Sequence, residues 1–230
     1  ISHYDLVKDL NWYLRRAPGT EEMGRMMVER WAHLLAVSTP HMAEEWWAAC
    51  GRDTLLATSV LPMPEPLDAA KVALLDGEVH LREMLDHARR VLTVAERHLE
   101  GPAREVTFVV SAPWRRRLAQ EALAHLEAGQ PIKAFGGRLD GLDLVPESRM
   151  GEVRGFWGKR MLPQVFKWDD SIRRILMSNL DEGANLASNA AFIAQTLGLE
   201  RVSVVTAESA EDHTERGSAA MPWSPAVVFA

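Results

Sequence analysis

The sequence predicts a mainly α-helical protein, in which a helical bundle is followed by a C-terminal domain that combines helices with a short sheet. Three observations lead to this prediction. Apolar residues recur at helical spacing in the first hundred residues, a proline-rich segment interrupts the chain at Leu61–Pro66, and strand-like runs occur only after residue 103. We therefore expect the end of a helical bundle (1–60), a linker and long helix (61–102) and an α+β domain (103–230).

Clear start and stop signals divide the predicted bundle into three helices. The first ends at Pro18-Gly19, and the second starts after Thr20, whose hydroxyl can accept a free backbone N–H. The third starts at Thr39-Pro40 and ends near Cys50, because Gly51 can adopt the left-handed conformation that closes helices. Helices joined by such short turns are typical of a bundle.

The α+β prediction depends on a change in apolar spacing after Gly101-Pro102, where a long helix that begins near Asp68 ends. Runs rich in β-branched residues predict strands at Arg104–Val110, Arg201–Thr206 and Ala226–Phe229. The predicted helices cover residues 114–128, 147–162, 168–178 and 182–197, and loops are predicted at 130–146 and 208–218.

The composition excludes several classes of protein. A chain of 230 residues with 47% hydrophobic and 25% charged residues is typical of a globular protein, and its single cysteine excludes an internal disulfide. No apolar run is long enough to span a membrane, and charged residues interrupt the N-terminal stretch, so we expect a cytoplasmic protein with no membrane partner. Because Ile1 lies inside a helical pattern, we expect a piece of a longer protein.

No pattern in the sequence supports catalysis. His41, Glu44 and Glu45 lie about one turn apart on a predicted helix, but the second histidine that a metal site needs is missing. The glycines that precede Lys159 lack the spacing of a phosphate-binding loop. We therefore expect no catalytic residue, no metal and no cofactor in this chain.

Basic residues interleaved with tryptophans are the remaining functional signal. Residues 101–176 carry a net charge of +4, whereas 1–100 and 177–230 each carry −5. Arginine and lysine can contact phosphates and tryptophan can stack on an unpaired base, although a solvated face with tryptophans in the core is the alternative. The candidate RNA-binding residues are Arg15, Arg16, Arg115, Arg116, Arg117, Arg154, Trp157, Lys159, Arg160, Lys167, Arg173 and Arg174.

Two of the tryptophans receive separate predictions. Trp114 directly follows a predicted strand, so we expect its ring to pack in the core. For Trp157 both placements stay open, because flanking glycines could let RNA approach the backbone.

Several segments resemble archaeal-type leucyl-tRNA synthetases. Asp9–Arg16 (DLNWYLRR) is similar to the DLRWYLRR helix of that family, and Trp31–Trp47 resembles the anticodon-binding helical domain that several class I synthetases share. The closing Ala219–Phe229 segment, with Ala-Met-Pro followed by Pro-Ala, is similar to the end of the leucyl enzymes and is the leucyl-specific motif.

The resemblance extends along the chain with some departures. Glu182–Leu199 and Val106–Trp114 also fit the family, whereas residues 130–180 match poorly and Val37-Ser38 stands where the family has Pro-Phe. These departures concern the details of RNA contact.

The resemblance implies a parent enzyme that couples leucine to its tRNA with ATP and Mg²⁺. The family's ATP-binding His-x-Gly-His and Lys-Met-Ser-Lys-Ser elements and its editing domain are outside these 230 residues, so the chain alone should be inactive. The implied partners are leucine tRNA, held at the inner corner of its L and at its long variable arm, and the catalytic and editing domains of the parent. No DNA partner is expected. The alternatives are the same region of another class I synthetase, or a free-standing RNA-binding or scaffold protein derived from it.

Overall fold

The computed structural model describes residues 3–17, 19–61, 66–178, 180–208 and 217–230. It confirms the predicted fold class, since helices dominate and one small sheet lies in the C-terminal part. The chain divides into two compact units, Ile1–Pro66 and Leu67–Ala230. The predicted helix end at Pro18 and most of the predicted linker lie outside the described residues, and so does most of the loop at 208–218.

The described part of the first unit contains three helices, α1 (His3–Arg16), α2 (Glu21–Leu35) and α3 (Pro40–Ala49), and a short 3-10 helix at Leu56–Thr58. The predicted cap is confirmed, because the Thr20 hydroxyl accepts from the Met23 N–H at 3.1 Å. Gly51 has a φ of +80°, as predicted for the residue that follows α3. A small core forms where α2 and α3 meet; its buried members are Ala32, Ala43, Trp47 and Leu56.

The second unit is built on a three-stranded sheet of β1 (Glu105–Val110), β2 (Arg201–Thr206) and β3 (Ala226–Phe229). The central strand β1 pairs parallel with β2 and antiparallel with β3, so that Phe108 lies between Val204 and Val227. All three strands are within one residue of their predicted bounds.

The described part of the second unit also contains eight helices: α4 (Ala69–Ala95), α5 (Pro113–Glu127), α6 (Ile132–Phe135), α7 (Met150–Phe156), α8 (Leu162–Val165), α9 (Asp170–Met177), α10 (Glu182–Ser188) and α11 (Ala190–Leu197). The long helix α4 begins after Asp68, whose carboxylate accepts from the Lys71 N–H, and it packs against β3, α9, α10 and α11. The largest core cluster joins α5 to the segment from α6 to α9 and includes Leu118, Phe135 and Met161.

The structure differs from the sequence prediction in three places. The predicted helix 182–197 is broken at Asn189, whose side-chain amide donates to the Asn185 carbonyl at 2.7 Å. The predicted loop 130–146 contains α6 and a 3-10 turn at Gly136–Gly141, because Phe135 and Leu139 pack in the core. The predicted helix 147–162 widens into a π-helical turn at Trp157–Met161 between α7 and α8.

Within the described residues, no helix combines the length and the apolarity that crossing a membrane requires. Over the same residues, no group of three or more His, Cys, Asp or Glu side chains is arranged to hold a metal ion.

Candidate RNA interface

The π-helical turn exposes the basic residues Lys159 and Arg160 on the surface of the second unit. Glycines lie on the same stretch of helix, and a Cβ added at Gly151, Gly155 or Gly158 would have no neighbour within 4 Å. None of these three glycines has a positive φ. The backbone here is therefore open to an external molecule beside two cationic side chains.

Trp157, at the start of the π turn, is buried and belongs to the core. Its ring is 5% exposed and lies 4.8 Å from the Phe135 ring between centroids. Of the two placements that the sequence left open for Trp157, the structure has the one in the core, so its place among the candidate RNA-binding residues is corrected. Trp114 is buried as predicted and meets Phe156 in an edge-to-face contact.

Arg116 is used inside the fold, where it joins three helices. Its guanidinium donates to the Glu182 carboxylate of α10 at 2.8 Å and to the carbonyls of Ile175 and Ser178 at the end of α9, at 2.6 and 2.7 Å. Carbonyls at a helix C-terminus carry partial negative charge, so the cation is stabilised there. Because these acceptors occupy its donors, Arg116 is unsuited to the phosphate contact that the sequence suggested.

The environment of Arg116 shifts the pKa values of two buried neighbours. Burial raises the pKa of Glu182 to about 8, although the charge of Arg116 opposes this shift. Burial and the nearby Arg116 lower the pKa of His80, on α4, to about 4. The His80 Nδ1 accepts from the Asn185 amide at 3.1 Å, which fits a neutral imidazole at pH 7. The sequence did not indicate a role for either side chain, since their partners Arg116 and Asn185 are distant along the chain.

Arg115 is also used internally. Its Nη1 donates to the carbonyls of Gly217 and Ala220, at 2.7 and 3.0 Å, and its guanidinium lies 4.6 Å from the centre of the Phe156 ring. This arrangement ties the segment before β3 to α5 and α7. The sequence prediction of a phosphate contact by Arg115 is therefore corrected as well.

Two further candidates are paired with carboxylates. Arg154 binds Asp140 at 2.8 Å, and both side chains are mostly exposed. Arg174, half exposed, binds the buried Asp76 of α4. A phosphate would have to compete with these carboxylates, least severely at the solvent-screened Arg154 pair. Arg149, which no motif in the sequence marks, forms ion pairs with both Glu152 and Glu208.

The remaining candidates are exposed. Five of the candidates in the second unit are exposed and form no ion pair within the described residues: Arg117, Lys159, Arg160, Lys167 and Arg173. In the first unit, the guanidinium groups of Arg15 and Arg16 lie 5.9 and 5.8 Å from the centre of the Trp12 ring, as in cation–π contacts. The five candidates of the second unit, together with the exposed Arg15 and the partly exposed Arg16, are the candidate phosphate-contacting side chains.

Comparison with known proteins gives a consistent result. The chain matches no protein-family model. It is 28% identical to the leucine--tRNA ligase of Aeropyrum pernix over 97% of this chain and 22% of that protein, and 24% identical to the leucine--tRNA ligase of Pyrococcus abyssi over 97% and 21%. A segment covering 42% of the chain is 30% identical to the leucine--tRNA ligase of Methanococcus vannielii. The chain therefore spans about a fifth of the length of the relatives that it matches throughout.

Proposed function

We propose that this chain, a relative of one region of the archaeal leucine--tRNA ligases, binds leucine tRNA as the non-catalytic, C-terminal region of such a ligase. The observation that carries the proposal is the similarity to leucine--tRNA ligases over 97% of the chain. It agrees with the resemblance of the closing Ala219–Phe229 segment, which is specific to the leucyl enzymes.

The exposed basic side chains support contact with the tRNA backbone. Lys159 and Arg160 lie beside an open glycine backbone, and Lys167 and Arg173 follow in the same basic segment. Arginine and lysine that neutralise phosphates release condensed counterions, which favours binding at low salt. The chain as a whole is acidic, with a net charge of −6, so a local basic surface is needed for this contact.

In this proposal the ligation itself takes place elsewhere in the parent enzyme. Activation of leucine requires ATP and Mg²⁺ bound by elements that resemble none of the segments of this chain. The chain supplies affinity and orientation for the tRNA, holding its inner corner and its long variable arm in the cytoplasm while other domains carry out the chemistry.

A comparison of two tRNAs tests the proposal. We expect the purified chain to bind leucine tRNA more tightly than the same tRNA with its long variable arm deleted, and to bind both more weakly as salt rises. Fluorescence anisotropy with labelled tRNA measures this difference. Equal affinity for the two tRNAs would refute recognition of the variable arm, and absence of binding to either would refute the proposed function.

The expected lack of activity has its own test. Leucine-dependent exchange of pyrophosphate into ATP reports formation of the adenylate. Exchange by the purified chain above the background of the assay would show that it contains a catalytic site, contrary to the proposal.

A further inference from the structure

Phe166 presents an exposed aromatic ring in the basic segment that follows the π turn. It is 73% exposed, and it is the only mostly exposed residue among the phenylalanines and tryptophans that the structure describes. Trp157, which the sequence offered as a partner for a base, is buried, so Phe166 is the ring that this segment presents to solvent. A single exposed apolar residue is common in proteins, so exposure alone assigns no role. Phe166 is distinguished by how its backbone is held and by the side chains that accompany it.

A tight turn between two buried side chains holds Phe166 at the surface. Val165 and Trp168, on either side of the turn, are both buried in the large core cluster of the second unit. The Lys167 N–H donates to the Gln164 carbonyl at 2.8 Å. The Trp168 N–H donates to the Val165 carbonyl at 3.3 Å. Because both ends of the turn are anchored in the core, the side chains of Phe166 and Lys167 are kept on the surface.

The sequence around Phe166 is rich in cations and has no carboxylates. Residues 153–168 contain no aspartate or glutamate, in a chain whose net charge is −6. They contain four basic residues: Arg154, Lys159, Arg160 and Lys167. Three of these, Lys159, Arg160 and Lys167, are exposed and form no ion pair within the described residues. The next carboxylate along the chain, Asp169, accepts from the Ile172 N–H at 2.9 Å and thereby caps α9. The local charge therefore favours an anionic ligand.

The ring shares one helix face with lysine and has no exposed aliphatic neighbours there. Lys159, Pro163 and Phe166 are all exposed and follow one another at intervals of four and three residues, from the π turn through α8. Side chains at these intervals lie on one face of a helix. No exposed leucine, isoleucine, valine or methionine occurs in residues 158–167. Because the centre of a protein–protein interface is typically a contiguous apolar patch that is poor in lysine, this face does not suit a protein partner.

We propose that Phe166 stacks on one unpaired base of a bound RNA, while Lys159 and Lys167 contact phosphates of the same strand. The flat face of a base can cover an aromatic ring, and the phosphates carry the charge that the lysines neutralise. Surfaces that bind single strands combine the same two elements, cations that follow the backbone and an aromatic side chain under a base. The inference rests on the proposed function, since the ligand is RNA, and it adds that this surface takes an unpaired base.

Three substitutions of Phe166 separate stacking from simple apolar contact. Phe166→Ala removes the ring, Phe166→Leu keeps an apolar side chain without a flat ring, and Phe166→Trp keeps a flat ring. Because Phe166 is mostly exposed, we expect all three variants to fold, and circular dichroism verifies this. Leu74→Ala is the matched control, since Leu74 is a similarly exposed apolar residue on α4 of the same unit.

The probes are a short single strand of adenylate and an abasic strand of equal length and charge. We expect the unmodified chain to bind the adenylate strand about tenfold more tightly, because stacking on an aromatic side chain has an effect of this size per base. Phe166→Ala and Phe166→Leu remove this preference and leave the affinity for the abasic strand unchanged. Phe166→Trp and Leu74→Ala retain the preference. Lys167→Ala weakens the binding of both strands by the same factor, since it removes a phosphate contact.

The outcomes separate this inference from the proposed function. If leucine tRNA binds but the two strands bind equally well, or if Phe166→Ala keeps the preference, the stacking contact is wrong and the proposed function stands. Stacking is also wrong if Phe166→Leu keeps the preference as fully as Phe166→Trp does, because an apolar contact without a flat ring would then suffice. If neither leucine tRNA nor either strand binds, the proposed function fails and the stacking contact fails with it.

Discussion

Two stretches of the second unit have similar sequences and opposite placements in the fold. Trp114–Arg117 and Trp157–Arg160 each begin with a tryptophan that is followed by basic residues, and both tryptophans are buried. In the first stretch, Arg115 and Arg116 bond to carbonyls and to Glu182. In the second, Lys159 and Arg160 are exposed.

The basic side chains differ in placement because hydrogen-bond acceptors lie opposite the first stretch, whereas the backbone of the second stretch is open. The acceptors of Arg116 belong to residues 59 to 66 positions further along the chain, which the fold brings to the start of α5. In the π turn, by contrast, a Cβ atom added at Gly158 would have no neighbouring atom within 4 Å. A basic side chain is therefore available to RNA only where the fold presents no acceptors of its own.

The largest expected effect is on stability at α5. Arg116→Ala leaves the buried Glu182 carboxyl group and the carbonyls of α9 without their donor, so we expect the free energy of unfolding to fall by about 1–3 kcal/mol for each acceptor that stays buried. Lys159→Ala, on the exposed surface, should change it by less than about 0.5 kcal/mol. Urea unfolding, monitored by hydrogen exchange of amides in the second unit, measures the free energy of unfolding of both variants. If Arg116→Ala and Lys159→Ala lower the free energy of unfolding by similar amounts, then Arg116 is not held inside the fold more strongly than Lys159.

The next effect is on tRNA binding at the π turn. Replacing both Lys159 and Arg160 by alanine should lower the affinity for tRNA and reduce the slope of log affinity against log salt by about one unit per residue. Arg97→Ala is the control, because Arg97 is an exposed arginine on the turn that follows α4. The π turn would be excluded as the phosphate-contacting surface if the double variant kept the salt slope of the unmodified chain. It would also be excluded if Arg97→Ala reduced the salt slope as much per removed charge as the double variant does.

A third difference is expected in the pH dependence of stability. The pKa of Glu182 is raised to about 8, so the folded chain binds more protons than the unfolded chain above the ordinary glutamate range, and stability falls as the pH rises towards 8. The pKa of His80 is lowered to about 4, which has the opposite effect, a rise in stability between about pH 4 and 6.5. The Glu182 effect is therefore clearest between pH 6.5 and 8.

Glu182→Gln should remove the decline in that window, because the amide does not titrate, whereas Lys159→Ala should retain it. Urea unfolding at pH 6.5 and at pH 8 gives the comparison. If Glu182→Gln declines as steeply as the unmodified chain, Glu182 does not titrate in this window.

The sequence predicted most of the fold because its signals are local. The cap at Thr20 and the start of the long helix near Asp68 are set by neighbouring residues, and the structure confirms both of them. The π turn and the break at Asn189 were not predicted, since both depend on packing or on side-chain competition within a helix. The predicted RNA-binding residues include both exposed side chains and side chains that bond inside the fold. The sequence could not separate the two groups, because the partners of Arg115 and Arg116 are distant along the chain.

The smallest expected effect concerns the glycines beside the π turn. Gly155 lies in α7 with open space around a would-be Cβ and no positive φ, so Gly155→Ala should stabilise the chain by about 0.5–1 kcal/mol. If the tRNA backbone approaches this surface, the added methyl group should also weaken tRNA binding by a few-fold. Gly24→Ala, at an equally open position in α2, provides the matched control and should be stabilising with no loss of affinity. A stabilised Gly155→Ala chain that binds tRNA as tightly as before would show that RNA contacts this region through Lys159 and Arg160 alone, without close approach to the backbone.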